Sequence, residues 1–238
     1  MAARYELFYW PGIQGRGEFV RLAFEEAGID YRDVAREPGG MREMMGLLEA
    51  AKGRPASFAP PFLRHGRTIV GQTAGILLYL GSQLGLAPAS ERGRLWTHQI
   101  QLTIADLVVE AHDSHHPPGG DFYYEDQKQE AARRAALFRK SRIPLFLEWF
   151  ERILADNGRG YLVGARLTYA DLSLFQVVEG LRYAFPRAMR RAEKKSPRVA
   201  ALRDRVAGRP RIAAYLDSPR RLPFNENGIF RHYPELDG

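Results

Sequence analysis

The sequence predicts two architectures in one chain: an α/β unit over residues 1–85 and, after a linker at 86–92, an all-helical unit over 93–238. Three observations carry that division. In the first 85 residues strand-type and helix-type runs alternate in the order β-α-β-α-β-β-α. Gly85 to Ser90, Gly-Leu-Ala-Pro-Ala-Ser, is a turn-rich break, and beyond it the apolar residues recur at helical spacing. Thr168 and Asp171 form a capping box with Asp in place of Glu, and Leu167 and Leu172 suit a hydrophobic staple, so a helix opens deep in the second unit.

In chain order, Tyr5 to Trp10 is aromatic-rich and reads as a first strand ended by Pro11 and Gly12. A loop runs from Gly12 to Gly17. From Glu18 the apolar residues Phe19, Leu22, Ala23 and Ala27 fall at helical spacing, with Gly28 placed to cap the end. Tyr31 to Ala35 is a second strand, and Met41 to Ala51 a second helix. Pro60 and Pro61 then lead into Phe62 and Leu63, a turn-to-strand entry where an X-Pro bond can be cis. Phe62 to His65 and Thr68 to Val70 form a hairpin around Gly66 and Arg67. Gln72 and Thr73 open a helix through Ile76, Leu77 and Leu80. Its free N–H groups, with the Gln72 amide and Thr73 hydroxyl, make a small anion site suited to a carboxylate.

The second unit begins with a long helix from Arg92 to about His116. Its end carries His112, Asp113, His115 and His116 before two prolines. Histidines three and four apart share a helix face and can bind a transition metal, but a polar helix terminus near a cleft is the favoured reading and no metal is expected. Asp126 to Asp156 is a further helical stretch, bent near Pro144. The chain ends in an irregular aromatic segment, Leu222 to Gly238, which either covers a pocket or packs on the helical unit.

The stretch Tyr9 to Glu18, Tyr-Trp-Pro-Gly-Ile-Gln-Gly-Arg-Gly-Glu, the Pro-Pro-Phe-Leu entry, the Gln-Thr pair and the Thr-x-x-Asp box together resemble the cytosolic glutathione transferases. The resemblance runs from Tyr5 to about Leu216 and is nearest the tyrosine-type, sigma-like classes, in a bacterial-style version. It implies a thioredoxin-like domain followed by the family's helical domain. It makes Pro61 the cis-proline and gives the glutamyl carboxylate of glutathione to Gln72 and Thr73. It assigns Pro60 to the cysteinyl backbone, where proline offers its carbonyl but no N–H, a loss of roughly 0.5–1.5 kcal/mol.

By the same resemblance Tyr9 donates its hydroxyl hydrogen to the glutathione sulfur, favouring the nucleophilic thiolate, and Arg16 adds positive charge. The loop after Tyr9 is about one residue longer than the common version. Asp106 would reach the glutamyl amine across a homodimer interface, and Lys52 stands where related classes bring a lysine to glutathione. Trp10, Ile13, Val108 and Phe224 are the implied walls of a pocket for a small hydrophobic electrophile. The implied activity is conjugation of glutathione to such electrophiles, a detoxification chemistry with glutathione as co-substrate. Rival readings are a glutathione-dependent isomerase or peroxidase, and a non-enzymatic binder of hydrophobic ligands or partners.

Composition sets outer limits. Of 238 residues, 45% are hydrophobic and 26% charged, an ordinary globular balance, and no apolar run reaches membrane-spanning length. With no signal-peptide pattern either, the expected location is the cytoplasm. The chain has no cysteine, so any thiol chemistry must use a thiol brought by a ligand. The net charge of +7 is uneven: residues 187–211 hold 10 Lys or Arg against 2 Asp or Glu. Such a run can meet a polyanion, but without a nucleic-acid module or interleaved aromatics it reads as a solvated face, and nucleic acid is not an expected partner.

Overall fold

A computed structural model describes residues 5–49, 57–119 and 121–238. Its first part is a four-stranded sheet, in order β2-β1-β3-β4, built from β1 (Tyr5–Phe8), β2 (Tyr31–Asp33), β3 (Phe62–His65) and β4 (Thr68–Gly71). β1 runs parallel to β2 and antiparallel to β3, with Tyr5 beside Tyr31 and Phe8 beside Phe62. The hairpin pairs His65 with Thr68. Helix α1 (Gly17–Ala27) makes the crossover between the parallel strands, as a parallel pair requires.

Gly28 ends α1 in the left-handed conformation at φ 66°, returning N–H bonds to the last turn. After β2 the chain tightens into a 3₁₀ turn over Val34–Arg36, so the strand ends two residues before the expected Ala35. Helix α2 (Gly40–Glu49) follows, and then α3 (Thr73–Gln83) after the hairpin. Two apolar layers flank the sheet. Leu7, Val20, Phe24, Leu63, Ile76 and Leu80 pack on the side of α1 and α3; Phe8, Val34, Met44 and Phe62 pack opposite.

The remainder is helical: α4 (Glu91–Asp113), α5 (Lys128–Leu137), α6 (Ile143–Asn157), α7 (Tyr169–Ala184), α8 (Pro186–Glu193), α9 (Pro197–Ala207), α10 (Pro210–Leu216) and α11 (Pro234–Asp237). Ser90 caps α4, its hydroxyl oxygen accepting the Gly93 N–H at 3.2 Å. The bend expected near Pro144 is a wide π turn over Phe138–Arg142 between α5 and α6. Pro144 has no N–H to continue the ladder, so the chain takes one looser turn before it.

Helix α7 is buried nearly all round and is the centre of the large core, packed by α4, α9, α8 and α1. Its start is fixed by Asp171. One carboxylate oxygen accepts the Leu162 N–H at 2.7 Å; the other accepts the Thr168 N–H at 2.7 Å and its hydroxyl at 2.8 Å. Burial pushes this carboxyl up to about 6, against those three donors. Among the described residues no helix is long and apolar enough to cross a membrane.

Candidate active site

Strand β1 stops at Phe8, and Tyr9 turns inward with only 4% of its surface exposed. The loop after it wraps the ring closely. A Cβ on Gly15 would come within 2.1 Å of the Tyr9 hydroxyl, and one on Gly17 within 2.6 Å of its ring, so only glycine fits on either side of Arg16. That close approach brings the Arg16 backbone N–H to the Tyr9 hydroxyl oxygen at 2.8 Å. Burial raises the Tyr9 pKa; the Arg16 N–H and the charges of Arg16 and Arg21 oppose it. The phenol is therefore protonated at neutral pH. Its oxygen accepts from Arg16, and among the described residues its hydrogen goes to no acceptor.

Beside this loop lies a cleft of about 340 Å³. One wall is Ala59, Pro60 and Pro61, with the Pro60–Pro61 bond cis, as the turn-to-strand entry suggested. The second is Gln72 and Thr73, and the third is Arg16 with Phe19 one helical turn on. The fourth is the face of α4 made by Gln101, Ile104, Ala105 and Val108, spaced at three and four residues. Thus Arg16, Pro60, Pro61, Gln72, Thr73 and Val108, far apart in the chain, meet at one cleft.

The start of α3 is open. No side chain caps it, and the N–H groups of Thr73, Ala74 and Gly75 donate to no described acceptor; the first helical bond is Ile76 N–H to the Gln72 carbonyl at 2.8 Å. The Thr73 hydroxyl makes one long bond, 3.4 Å, to the Arg16 carbonyl. Gln72 is exposed and holds φ 63°, the one non-glycine residue with positive φ among those described. A strained residue and a row of idle donors at the edge of one cleft are an arrangement that can take a small anion.

Other expectations fall elsewhere. Tyr9 is not itself a cleft wall; it lies beneath Arg16. Of the four implied electrophile walls only Val108 lines the cleft. Trp10 and Ile13 sit in the loop beyond Tyr9, which is drawn toward the C-terminal segment by two bonds. Gln14 Nε2 donates to the Leu222 carbonyl at 2.5 Å, and Asn225 Nδ2 to the Gly12 carbonyl at 3.0 Å.

Phe224 stacks on Tyr183 at 5.2 Å and meets Phe230 edge-on, so this part of the tail packs on the helical core. Asp106 is exposed and does not line this cleft; Leu102, one turn before it on α4, is also exposed, and Val109, one turn after it, stands at the cleft's edge. Lys52 lies outside the described residues.

Sequence reasoning missed Phe58, Phe19, Gln101, Ile104 and Ala105. The α4 residues were findable, because with Val108 they share one helical face. Gln101 is 1% exposed, and its carbonyl oxygen has no partner, so the cleft holds an acceptor waiting for a donor. The histidines form a closed group at the end of α4. His115 Nε2 meets the Ile229 carbonyl at 2.8 Å and His115 Nδ1 lies 2.5 Å from His116 Nδ1. Burial lowers His115 to about 3 and His112 to about 4, with neighbouring His and Arg charges adding to the shift, so both are neutral near pH 7. Among the described residues no three potential ligands converge on a metal position.

The sheet order, the cis-proline beside an open helix start and the following helical domain define a two-domain protein of the thioredoxin-like type with a cleft at that helix start. The family pattern "Glutathione S-transferase, C-terminal domain" matches residues 112–219. A glutathione S-transferase of Plasmodium falciparum is 23% identical over 88% of this chain and 94% of its own length. Glutathione S-transferase P 1 of Xenopus laevis is 26% identical over 91% and 93%. Hematopoietic prostaglandin D synthase of Gallus gallus is 26% identical over 89% and 94%. The solved prostaglandin synthase D of Nilaparvata lugens superimposes with a TM-score of 0.70 at 21% identity, covering 92% of this chain and all of that one. The domain match over the helical part and the relatives along nearly the whole chain make this chain similar to glutathione S-transferases from end to end.

Proposed function

We propose that the protein is a glutathione transferase of the tyrosine type that joins the glutathione sulfur to a hydrophobic electrophile. The observation that carries this is the convergence of the open α3 start, Pro60 and Arg16 on one cleft, with the Tyr9 hydroxyl bonded directly beneath Arg16. The glutamyl carboxylate of glutathione fits the free N–H groups of Thr73 and Ala74, with the Thr73 hydroxyl and Gln72 amide beside them. The Pro60 carbonyl accepts the cysteinyl N–H. The sulfur then falls on the Arg16 side, where the unspent Tyr9 hydrogen and the Arg16 charge favour thiolate over thiol. The thiolate pair attacks the electrophile, whose apolar body lies along Phe19, Ile104 and Val108.

Residues 1–85 act as the glutathione-binding unit and 93–238 as the helical unit that completes the pocket. A homodimer fits the exposed apolar positions: Phe58 is 97% exposed at the cleft rim, and Leu95 and Leu102 are exposed on α4, seven residues apart, with Val109 seven further on at the cleft's edge. A soluble cytoplasmic protein active in detoxification fits this reading. Synthase-type chemistry on the same thiolate is a second reading, favoured by the prostaglandin synthase names among the relatives.

The test is calorimetric titration of glutathione into wild type and Tyr9→Phe, following thiolate absorbance of the complex. Wild type binds and shows the thiolate. Tyr9→Phe binds similarly but loses the thiolate signal and about 100-fold in kcat/KM toward a model electrophile. No binding at millimolar glutathione would overturn the proposal and leave a binding protein on this fold.

A further inference from the structure

The basic run at 187–211 is not one solvated face. Several of its arginines are spent inside the protein: Arg198 on Glu151 at 3.0 Å, Arg203 on Glu179 at 2.7 Å, and Arg209 on Glu26. Arg205 donates to the Gly160 carbonyl at 2.5 Å and Arg211 to the Glu26 carbonyl at 3.1 Å. Arg191 and Lys195 have no ion-pair partner among the described residues. Both line a second cavity, of about 270 Å³, where the α8–α9 junction meets the π turn before α6.

The π turn adds Arg139 and Lys140 to the same walls, also without ion pairs among the described residues. Glu148 is the one acid there, so four cations and one carboxylate leave a local charge of +3. Two buried donors at this cavity lack an acceptor. Arg139 is anchored by its Nη1 on the Asp237 carbonyl at 2.8 Å, yet its Nε has no partner; Ser196 is 1% exposed and its hydroxyl has none. Buried unpaired donors are rare in folded proteins, and two beside an unbalanced cluster of cations point to a missing anion.

We infer that this cavity binds a small phosphate-bearing anion, a phosphate monoester or a pyrophosphate group, at a site separate from the glutathione cleft. A carboxylate carries one charge and two acceptor oxygens, too few for four cations and two unspent donors. A phosphate presents up to two charges and three terminal oxygens, and suits both the Arg fork and the Lys point charge. A nucleic-acid strand would need a run of free cations, and Arg198, Arg203, Arg205, Arg209 and Arg211 are already engaged.

The test is calorimetric titration of inorganic pyrophosphate into the full chain, at low and at physiological salt, with saturating glutathione present and absent. One site is expected, unaffected by glutathione. Arg191→Glu and Lys195→Glu, both at exposed positions, weaken it about 10-fold or more. Ser196→Ala, which leaves the charge unchanged, weakens it about 5-fold, and Arg67→Glu on the distant hairpin leaves it within about 2-fold. Urea midpoints near wild type establish that the variants are folded.

Absence of binding at millimolar pyrophosphate overturns the inference. So does equal weakening by Arg67→Glu, which would mean general charge attraction, or competition by glutathione. Tighter binding to a DNA or RNA oligonucleotide than to pyrophosphate, with a steep salt slope, would overturn it in favour of a polyanion surface.

Discussion

Two helix starts in this molecule receive opposite treatment. At α7 every donor within reach of Asp171 is satisfied, the carboxylate is buried, and the helix runs through the centre of the core. At α3 nothing caps the first turn, three N–H groups face a cleft, and the residue before them sits at a backbone angle that side chains avoid. The same four orphan donors exist at any helix start. The protein uses one set to hold itself together and leaves the other idle beside a cleft. A helix terminus therefore reports function when its donors are idle and reports architecture when they are spent.

The sharpest way to break this contrast is Asp171→Ala. It leaves the Leu162 and Thr168 N–H groups buried without acceptors and should lower stability by about 3 kcal/mol, measured by urea unfolding. A loss under about 1 kcal/mol would show that the α7 start is not structural.

Acid tests a third helix end, that of α4. His115 is held well below its unfolded value of 6.5 by burial, so its neutral form is the native one. A depressed histidine contributes stability that is lost as pH falls below the unfolded pKa. Lowering the pH from 7 to 5 should cost about 2 kcal/mol from this group. His115→Gln should shrink the difference between the urea midpoints at the two pH values. An undiminished difference would assign the acid sensitivity to other groups.

At the open start the effects are on binding. Thr73→Val keeps the shape and removes the hydroxyl; glutathione affinity should fall about 5-fold while stability changes by less than about 0.5 kcal/mol. A stability loss with unchanged affinity would make α3 resemble α7 after all. Gln72→Gly is the smallest effect. Relief of the positive φ, about 1 kcal/mol, is partly offset by the extra freedom of glycine in the unfolded chain, so a net gain of about 0.5 kcal/mol is expected by thermal unfolding. Glutathione binding should weaken, because the amide is gone.

The same contrast explains what could be read from the sequence. Local signals were legible: the Thr168/Asp171 box, Gly28 behind α1, the Gly66 hairpin turn and the Gln-Thr start each act within a few residues. The cleft was legible where the elements bounding it carry such signals, at Arg16, Pro60, Pro61, Gln72 and Thr73. The apolar walls were not. Which residues of a loop face a pocket depends on contacts made far along the chain, and here Gln14 and Gly12 are bonded to Leu222 and Asn225, some 200 residues away. Those bonds place Trp10 and Ile13 away from the cleft that Val108 lines. Strand ends shifted for a similar reason, since Val34 and Ala35 pack beneath the sheet and do not extend it.

Glu18, in the first turn of α1, is wholly buried. Its carboxylate is met by Arg21 from its own helix at 3.2 Å, and by the Tyr215 hydroxyl and Arg221, each at 2.6 Å, from the far end of the chain. Burial would raise its pKa, but those cations and the phenol hold it below the usual range. An interior charge that borrows its partners from the other half makes the two halves poor interchangeable parts. Expressed alone, the first 85 residues would expose a carboxylate shaped for partners it no longer has. A chimera with a relative's helical half would inherit the same deficit unless Tyr215 and Arg221 travelled with Glu18.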